Sequence, residues 1–148
     1  MPEVLTAGGL TELAIRQVIL AKDLITIQYS DALAQALPEA GDETRGLPTI
    51  DEPQQELFVE PRILAGNYAY TAGVLAGLGN TSITLEHTLE RILGMTASVL
   101  ENEIPGSEDQ ATTFVEVTGI TDSVQKMYEI GVKIGGYMLA GILREYAV

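Results

Sequence analysis

Residues Arg62–Gly79 read RILAGNYAYTAGVLAGLG, and small residues recur in them at every fourth position: Ala65, Ala69, Gly73 and Gly77. Residues four apart lie one above another on a helix, so this spacing predicts a helix with a groove along one face. Glycine inside a helix costs about 0.5–1 kcal/mol relative to alanine, and that cost needs a packing reason. The stretch therefore predicts a helix that a neighbouring helix approaches closely.

A second apolar stretch near the C-terminus shows the same spacing. Residues Ile130–Leu143 read IGVKIGGYMLAGIL, in which Gly131 and Gly135, and then Gly136 and Ala140, are four apart. The two stretches together predict a pair of helices in close contact. The sequence leaves open whether they meet within one chain or across two copies of it.

Tyr68, Tyr128 and Tyr137 lie in or beside these two stretches. Tyrosine next to glycine fills the notch that glycine leaves while its hydroxyl reaches a polar rim, and tyrosine is also enriched at interfaces. Packing inside one subunit and contact between subunits explain these tyrosines equally well. The predicted helix-packing or interface residues are Ala65, Ala69, Gly73, Gly77, Gly131, Gly135, Gly136, Ala140, Tyr68, Tyr128 and Tyr137.

Length and composition predict one helical domain over residues 1–148. A chain of 148 residues can bury a core of its own, and 46% of its residues are hydrophobic. There is no Trp and there are only two Phe, so Leu, Ile, Val, Ala and Met supply the apolar volume, which favours helices packed on helices. The chain has no cysteine, which removes disulfides, thiolate metal sites and cysteine nucleophiles.

The charge balance narrows the range of partners. The formal net charge is −13, from 21 acidic residues against 8 Lys and Arg. Such a surface repels phosphate backbones and anionic lipid, so direct nucleic-acid binding is not expected. Asn67 interrupts the first apolar stretch, and Glu129 and Lys133 interrupt the second, which argues against membrane helices. The N-terminus lacks the pattern of a signal peptide, so we expect a cytoplasmic or other intracellular location, a virion included.

The order of elements predicts an all-α bundle of about four main helices. The first covers residues 10–37 and is amphipathic, and the others cover about 61–78, 84–100 and 121–146. Residues 38–56 hold three prolines among acids and show no period, so they predict a long acidic loop. Residues 111–119 are rich in β-branched side chains and predict a short strand or extended arm, which needs a partner in the chain or in another subunit. The apolar residues assigned to one side of the first helix are Leu10, Leu13, Ala14, Val18, Ala21, Leu24, Ile25, Ala32 and Ala36.

His87 is the single histidine and the only weak candidate for metal or acid–base chemistry. Glu86 and Glu90 flank it on one predicted helical turn. Carboxylate-bridged metal bundles use a Glu-x-x-His pattern on two helices, whereas here a second histidine is missing and Thr84 stands where the acid belongs. No Gly-x-Ser-x-Gly elbow or phosphate-binding loop occurs. The sequence predicts no catalytic residues, no metal and no cofactor, and an enzyme is the less favoured reading.

These features favour a non-enzymatic, self-associating structural subunit of a larger homo-oligomer, of the capsid, virion, sheath or scaffold type. One alternative is a helical-bundle enzyme or ligand-binding protein that uses His87, the two glutamates and a tyrosine. A second alternative is an acidic adaptor whose loop, within residues 38–60, binds a basic protein partner.

Overall fold

The computed structural model describes residues 6–37 and 59–146. It confirms an all-α bundle. The helices are α1 (Ala7–Ala36), α2 (Val59–Gly77), α3 (Leu85–Glu103), α4 (Ala111–Val117) and α5 (Ile120–Tyr146), with a 3-10 turn over Glu108–Gln110. Four of them are the long helices that the sequence predicts, and α4 is short. The predicted acidic loop, residues 38–56, lies outside the described residues.

The helix ends follow the local chemistry of the sequence. Thr6 precedes α1, and its hydroxyl oxygen accepts the backbone N–H of Gly9 at 3.0 Å. Thr84 does the same for the backbone N–H of His87 at α3, also at 3.0 Å. Both side chains satisfy donors that a helix leaves without partners in its first turn. After α2, Gly79 has φ +114, a left-handed conformation that glycine adopts without strain.

We predict that Thr84→Ala lowers the free energy of unfolding by about 1 kcal/mol, because the first turn of α3 loses its side-chain acceptor. Thr81 is also exposed but lies outside the helix, so Thr81→Ala is the matched control and should change stability by less than about 0.5 kcal/mol. Urea unfolding followed by circular dichroism measures both. Equal midpoints for the two variants would show that Thr84 is not the cap.

The prediction of an extended arm over residues 111–119 is wrong, because residues 111–117 form helix α4. The side chains of Ala111, Phe114, Val115 and Thr118 are buried, and this i, i+3, i+4, i+7 spacing belongs to one face of a helix. Packing of that face against the core therefore overrides the strand propensity of the β-branched residues. No partner strand is required.

Helix α1 also differs from the prediction, because its apolar residues do not all lie on one side. Of the residues assigned to one side, Ala32 is buried, whereas Leu13 and Leu24 are exposed. Tyr29 and Leu33, which the sequence did not assign to that side, are fully buried. The helix is apolar on two faces, and only one of them joins the core.

The relative directions of the helices follow from their contacts. The hydroxyl of Ser123 donates to the carbonyl oxygen of Arg62 at the start of the α2–α5 contact, and Gly77 lies against Gly135 further along, so α2 and α5 run parallel. Helix α1 runs antiparallel to α2, since the ammonium of Lys22 lies over the ring of Tyr68 while residues earlier in α1 border Val74. Buried side chains from all five helices fill the core between them: Tyr29, Leu33, Leu75, Ile92, Leu100, Phe114, Ile120 and Val124.

Candidate interaction surfaces

Four glycines bring α2 and α5 into backbone contact within one chain. A Cβ atom placed on Gly73 would lie 3.0 Å from Cα of Gly131, and one placed on Gly135 would lie 3.0 Å from Cα of Gly77. The axes of packed helices are usually 8–10 Å apart, because side chains keep the two backbones from touching. The contact is therefore possible only because these positions carry no side chain.

Carbonyl groups occupy the space that the missing side chains leave. The carbonyl oxygen of Tyr128 lies where a Cβ of Gly73 would be, and that of Tyr70 lies where a Cβ of Gly131 would be. Gly77 and Gly135 face the carbonyl oxygens of Val132 and Val74 in the same way. This reciprocal arrangement directs Cα–H groups at carbonyl oxygens across the helix pair, a weak contact worth about half of a conventional hydrogen bond. The glycines thus join α2 to α5 and are not available to a second subunit.

The other small residues of α2 lie elsewhere. Ala65 and Ala69 are fully buried in the core and are not part of the glycine contact. A step of four residues turns the helix by about 40° beyond a full turn, so a row at this spacing drifts around the helix. Gly66, which the sequence analysis left out, faces the hydroxyl oxygen of Ser123 and the side chain of Met127 on α5. The spacing Gly66–Gly73–Gly77 was the sequence signal for this contact.

Gly136 and Ala140, the second predicted pair on α5, are exposed. A Cβ placed on Gly136 would meet no atom within 4 Å. These two residues lie outside the α2–α5 contact, on a part of α5 that none of the described helices covers.

The three candidate tyrosines have three different environments. Tyr68 is buried beneath the ammonium of Lys22, which lies 5.6 Å from the ring centroid. The hydroxyl of Tyr128 donates to the carbonyl oxygen of Ile83 at 2.8 Å and so joins α5 to the start of α3, and burial raises the pKa of Tyr128. Tyr137 is 73% exposed. The first two are used inside the subunit, and Tyr137 alone faces outward.

Among the residues that the structure describes, His87 lies on the exposed side of α3 and lines neither of the two described pockets. The side chains of His87, Glu86 and Glu90 are exposed on α3, while Tyr68 and Tyr128 are engaged as described above. Within residues 6–37 and 59–146, no three His, Asp or Glu side chains are grouped so that they could hold a metal ion. Among the described residues, Lys22 is the one cation that is half-buried and not exposed. Its pKa is lowered by burial and then by the positive charge of Arg91, while Asp23 acts in the opposite direction.

Exposed apolar side chains are concentrated on two helices. In the part of the chain that the structure describes, eleven large hydrophobic side chains are exposed, and ten of them belong to α1 or α5. The most exposed on α1 are Leu20 at 64%, Leu24 at 63% and Ile27 at 60%. Single exposed apolar side chains are ordinary, but a row of them along one helix indicates a contact surface. The ten residues are Leu13, Ile19, Leu20, Leu24, Ile27, Ile130, Tyr137, Met138, Leu143 and Tyr146.

The acidic side chains are concentrated on different helices from the exposed apolar side chains. Across α3, the 3-10 turn and α4, seven acids stand against one arginine, Arg91: Glu86, Glu90, Glu101, Glu103, Glu108, Asp109 and Glu116. Helices α1, α2 and α5 together carry seven acids and six basic residues, so the helices with the exposed apolar side chains are nearly neutral. The negative charge of the described residues is therefore carried by the helices that expose few apolar side chains.

An open groove of about 260 Å³ lies between α1, α2 and α5. Its lining is mainly apolar: Ala14, Gln17, Val18, Ala21, Tyr70, Thr71, Val74 and Met138. Its polar groups are an amide and two hydroxyls, so the described lining residues bring no carboxylate, imidazole or ammonium group to the groove.

Comparisons of the chain with models of known protein families, with curated proteins and with solved structures find no match. Among the described residues, no helix is both long enough and apolar enough to cross a membrane.

Proposed function

We propose that this protein is a non-enzymatic structural subunit that self-associates into a larger homo-oligomer, of the kind that forms capsids, virions, sheaths or scaffolds. The observation that carries the proposal is the row of exposed leucine and isoleucine side chains on α1, together with the exposed apolar side chains of α5. Apolar area that stays in water in the single chain leaves water when two chains meet, and this favours association. An intracellular or virion location is part of the same proposal.

The charge pattern supports association between identical chains. Two copies of a strongly acidic protein repel each other through surfaces of the same sign. Here the apolar helices α1 and α5 are close to neutral, and the acids of α3 and α4 lie on other helices. Copies can therefore meet through α1 or α5 without bringing the most acidic helices into direct contact.

The two alternatives gain no specific support. The exposed His87 and its neighbouring glutamates form no pocket with a tyrosine, so no geometry favours an enzyme or ligand-binding site among the described residues. The acidic loop of the adaptor hypothesis lies outside the described residues, so its binding of a basic partner stays a prediction.

We expect sedimentation velocity in the micromolar range to give a mass at least twice that of the single chain. Because apolar contacts are not screened by salt, this mass should persist when the salt concentration is raised to about 1 M. An assembly that dissociates at high salt would point to ionic contacts instead. A single-chain mass at every concentration would contradict the proposed function.

A further inference from the structure

The exposed row on α1 has the spacing of a coiled-coil seam. Leu13, Leu20 and Ile27 are seven residues apart, and Leu24 lies four after Leu20 and three before Ile27. With the half-buried Leu10 and the exposed Gln17, they occupy alternating intervals of three and four along one side of the helix. We call residues 10, 13, 17, 20, 24 and 27 the α1 seam. It spans about 26 Å at 1.5 Å per residue.

The α1 seam faces away from the residues that hold α1 in the bundle. Tyr29 and Leu33 are fully buried, and the hydroxyl groups of Tyr29 and Thr96 share a hydrogen bond of 2.7 Å that joins α1 to α3. On a helix with 100° per residue, the seam lies on the side opposite Tyr29. A second helix can therefore approach the four exposed apolar residues of the seam, Leu13, Leu20, Leu24 and Ile27. Of the other two seam residues, Gln17 borders the groove between α1, α2 and α5, and Leu10 is half-buried.

Two charged residues lie at one edge of the α1 seam. Arg16 and Asp23 are both exposed and are seven residues apart, so they are on the same side of the helix. Arg16 also forms a pair with Glu12 at 2.8 Å on the solvent side of its own helix. In an antiparallel helix pair, edge residues of this type face their equivalents on the other helix, so their charges decide the alignment.

One antiparallel alignment satisfies both the apolar and the charged residues. When Leu13 faces Leu24 of a second copy, Leu10 faces Ile27 and Gln17 faces Leu20, and the same contacts recur by two-fold symmetry. Arg16 of each chain then lies beside Asp23 of the other. Asp31, which lies four residues after Ile27 at the next seam position, is outside the contact.

Three other alignments bring like charges together. A shift of one heptad in one direction places Asp23 beside Asp23 of the second copy, and a shift in the other direction places Arg16 beside Arg16. A parallel pair in register places Asp31 against Asp31 at a seam position. Like charges at such sites are destabilising, so the pattern selects the antiparallel alignment described above.

We propose that two copies of this chain associate through an antiparallel pair of α1 helices, with Leu13 against Leu24 and Arg16 against Asp23 across a two-fold axis. This inference rests on the proposed function, because it names the surface through which the subunit self-associates. The apolar row of the seam and the charges of Arg16 and Asp23 at its edge are complementary to themselves in an antiparallel pair, and this is why the occupant is a second copy and not a different protein.

Cysteine cross-linking tests the alignment directly, because the chain contains no cysteine. The variants Leu13→Cys and Leu24→Cys are mixed in equal amounts and oxidised, and the disulfides are counted by mass spectrometry of peptides. We expect the mixed 13–24 disulfide to exceed each symmetric disulfide by about tenfold, against twofold for random pairing. Ser98→Cys, on the exposed side of α3, is the control and should give no such enrichment when paired with either variant.

Charge exchange tests the edge contact. Arg16→Asp and Asp23→Arg each place like charges side by side at two symmetric positions, so each should weaken the dimer by about tenfold in sedimentation equilibrium. The double variant, which exchanges the two charges, should restore the dissociation constant to within about twofold of the original. Circular dichroism confirms that the helix content is unchanged.

The possible outcomes separate this inference from the proposed function. One outcome is an oligomer in which the mixed 13–24 disulfide is not enriched and whose dissociation constant does not change in the charge variants. That result would overturn the α1 pairing but would be consistent with the proposed function. Dominant symmetric disulfides would replace the antiparallel pair with a parallel one and so overturn the inference. A protein that is monomeric at every concentration would overturn both.

Discussion

Replacing Gly135 with leucine is expected to lower the free energy of unfolding by about 3 kcal/mol or more, which is a large share of the 5–15 kcal/mol typical of a domain. A Cβ at this position would overlap backbone atoms of Val74 and approach Gly77 at 3.0 Å. A backbone cannot rotate away as a flexible side chain can, so α2 and α5 must separate along the whole glycine contact. Gly73→Leu should have a similar effect, since its Cβ would overlap the backbone of Tyr128.

The neighbouring residue provides a matched control for this prediction. A Cβ atom at Gly136 would meet no atom within 4 Å, so Gly136→Leu removes a glycine from the helix without overlap at Cβ and should be neutral or stabilising by up to about 1 kcal/mol. Thermal unfolding at low protein concentration compares the two leucine variants. If Gly135→Leu and Gly136→Leu unfold at the same temperature, the close contact between α2 and α5 does not exist as described.

The second large effect is expected in alkaline solution and comes from Tyr29. Its hydroxyl is fully buried against Thr96, and burial raises the pKa of Tyr29 to about 12 from an ordinary value of 10.0, although the hydrogen bond shared with Thr96 acts in the opposite direction. A pKa that is higher in the folded state means that the unfolded state releases the proton first. The stabilisation is therefore complete below pH 10 and is lost as the pH rises from 10 to 12, by about 2–3 kcal/mol in total.

Tyr29→Phe provides the test, because phenylalanine keeps the ring and removes the ionisable group. At neutral pH this variant should be less stable than the original protein by about 1 kcal/mol, the usual value of one buried hydrogen bond. Above pH 11 the difference in the free energy of unfolding between the two proteins should shrink or change sign. The reason is that the variant lacks the hydroxyl whose ionisation destabilises the folded state of the original protein. Urea unfolding at several pH values measures both stabilities, with Tyr137→Phe as an exposed control. Parallel pH profiles for the original protein and Tyr29→Phe would contradict the assigned pKa.

The class of fold could be predicted from the sequence because its signals are local. Thr84 before a run with helical period predicts the start of α3, and Gly79 predicts the end of α2. The prediction for residues 111–117 was wrong because it relied on the strand preference of Thr, Val and Phe, and this preference is weak compared with packing. The burial of Phe114 and Val115 against the core, which decides the matter, depends on residues far away in the chain.

The candidate surface was harder to predict for a different reason. Periodicity shows that a helix has an apolar face but does not show which neighbour covers it. In α1 the buried Leu33 and the exposed Leu24 lie on opposite sides of the helix, and both sides are apolar, so the sequence does not show which side the bundle covers. For the same reason Gly135 and Gly136 looked equivalent, and only the approach of α2 separates the one that packs from the one that is exposed.

The parallel arrangement of α2 and α5 makes their contact a long-range one along the chain. Two parallel helices cannot be joined by a tight turn, so residues 78–119, which include α3 and α4, must return along the bundle before Gly131 reaches Gly73. Contacts between segments so distant in the chain form slowly, because a long loop must close before any stabilisation is gained. We infer that the glycine contact forms late. Until it does, newly made chains expose the apolar faces of both helices, and this is the interval in which misassembly between chains is most probable.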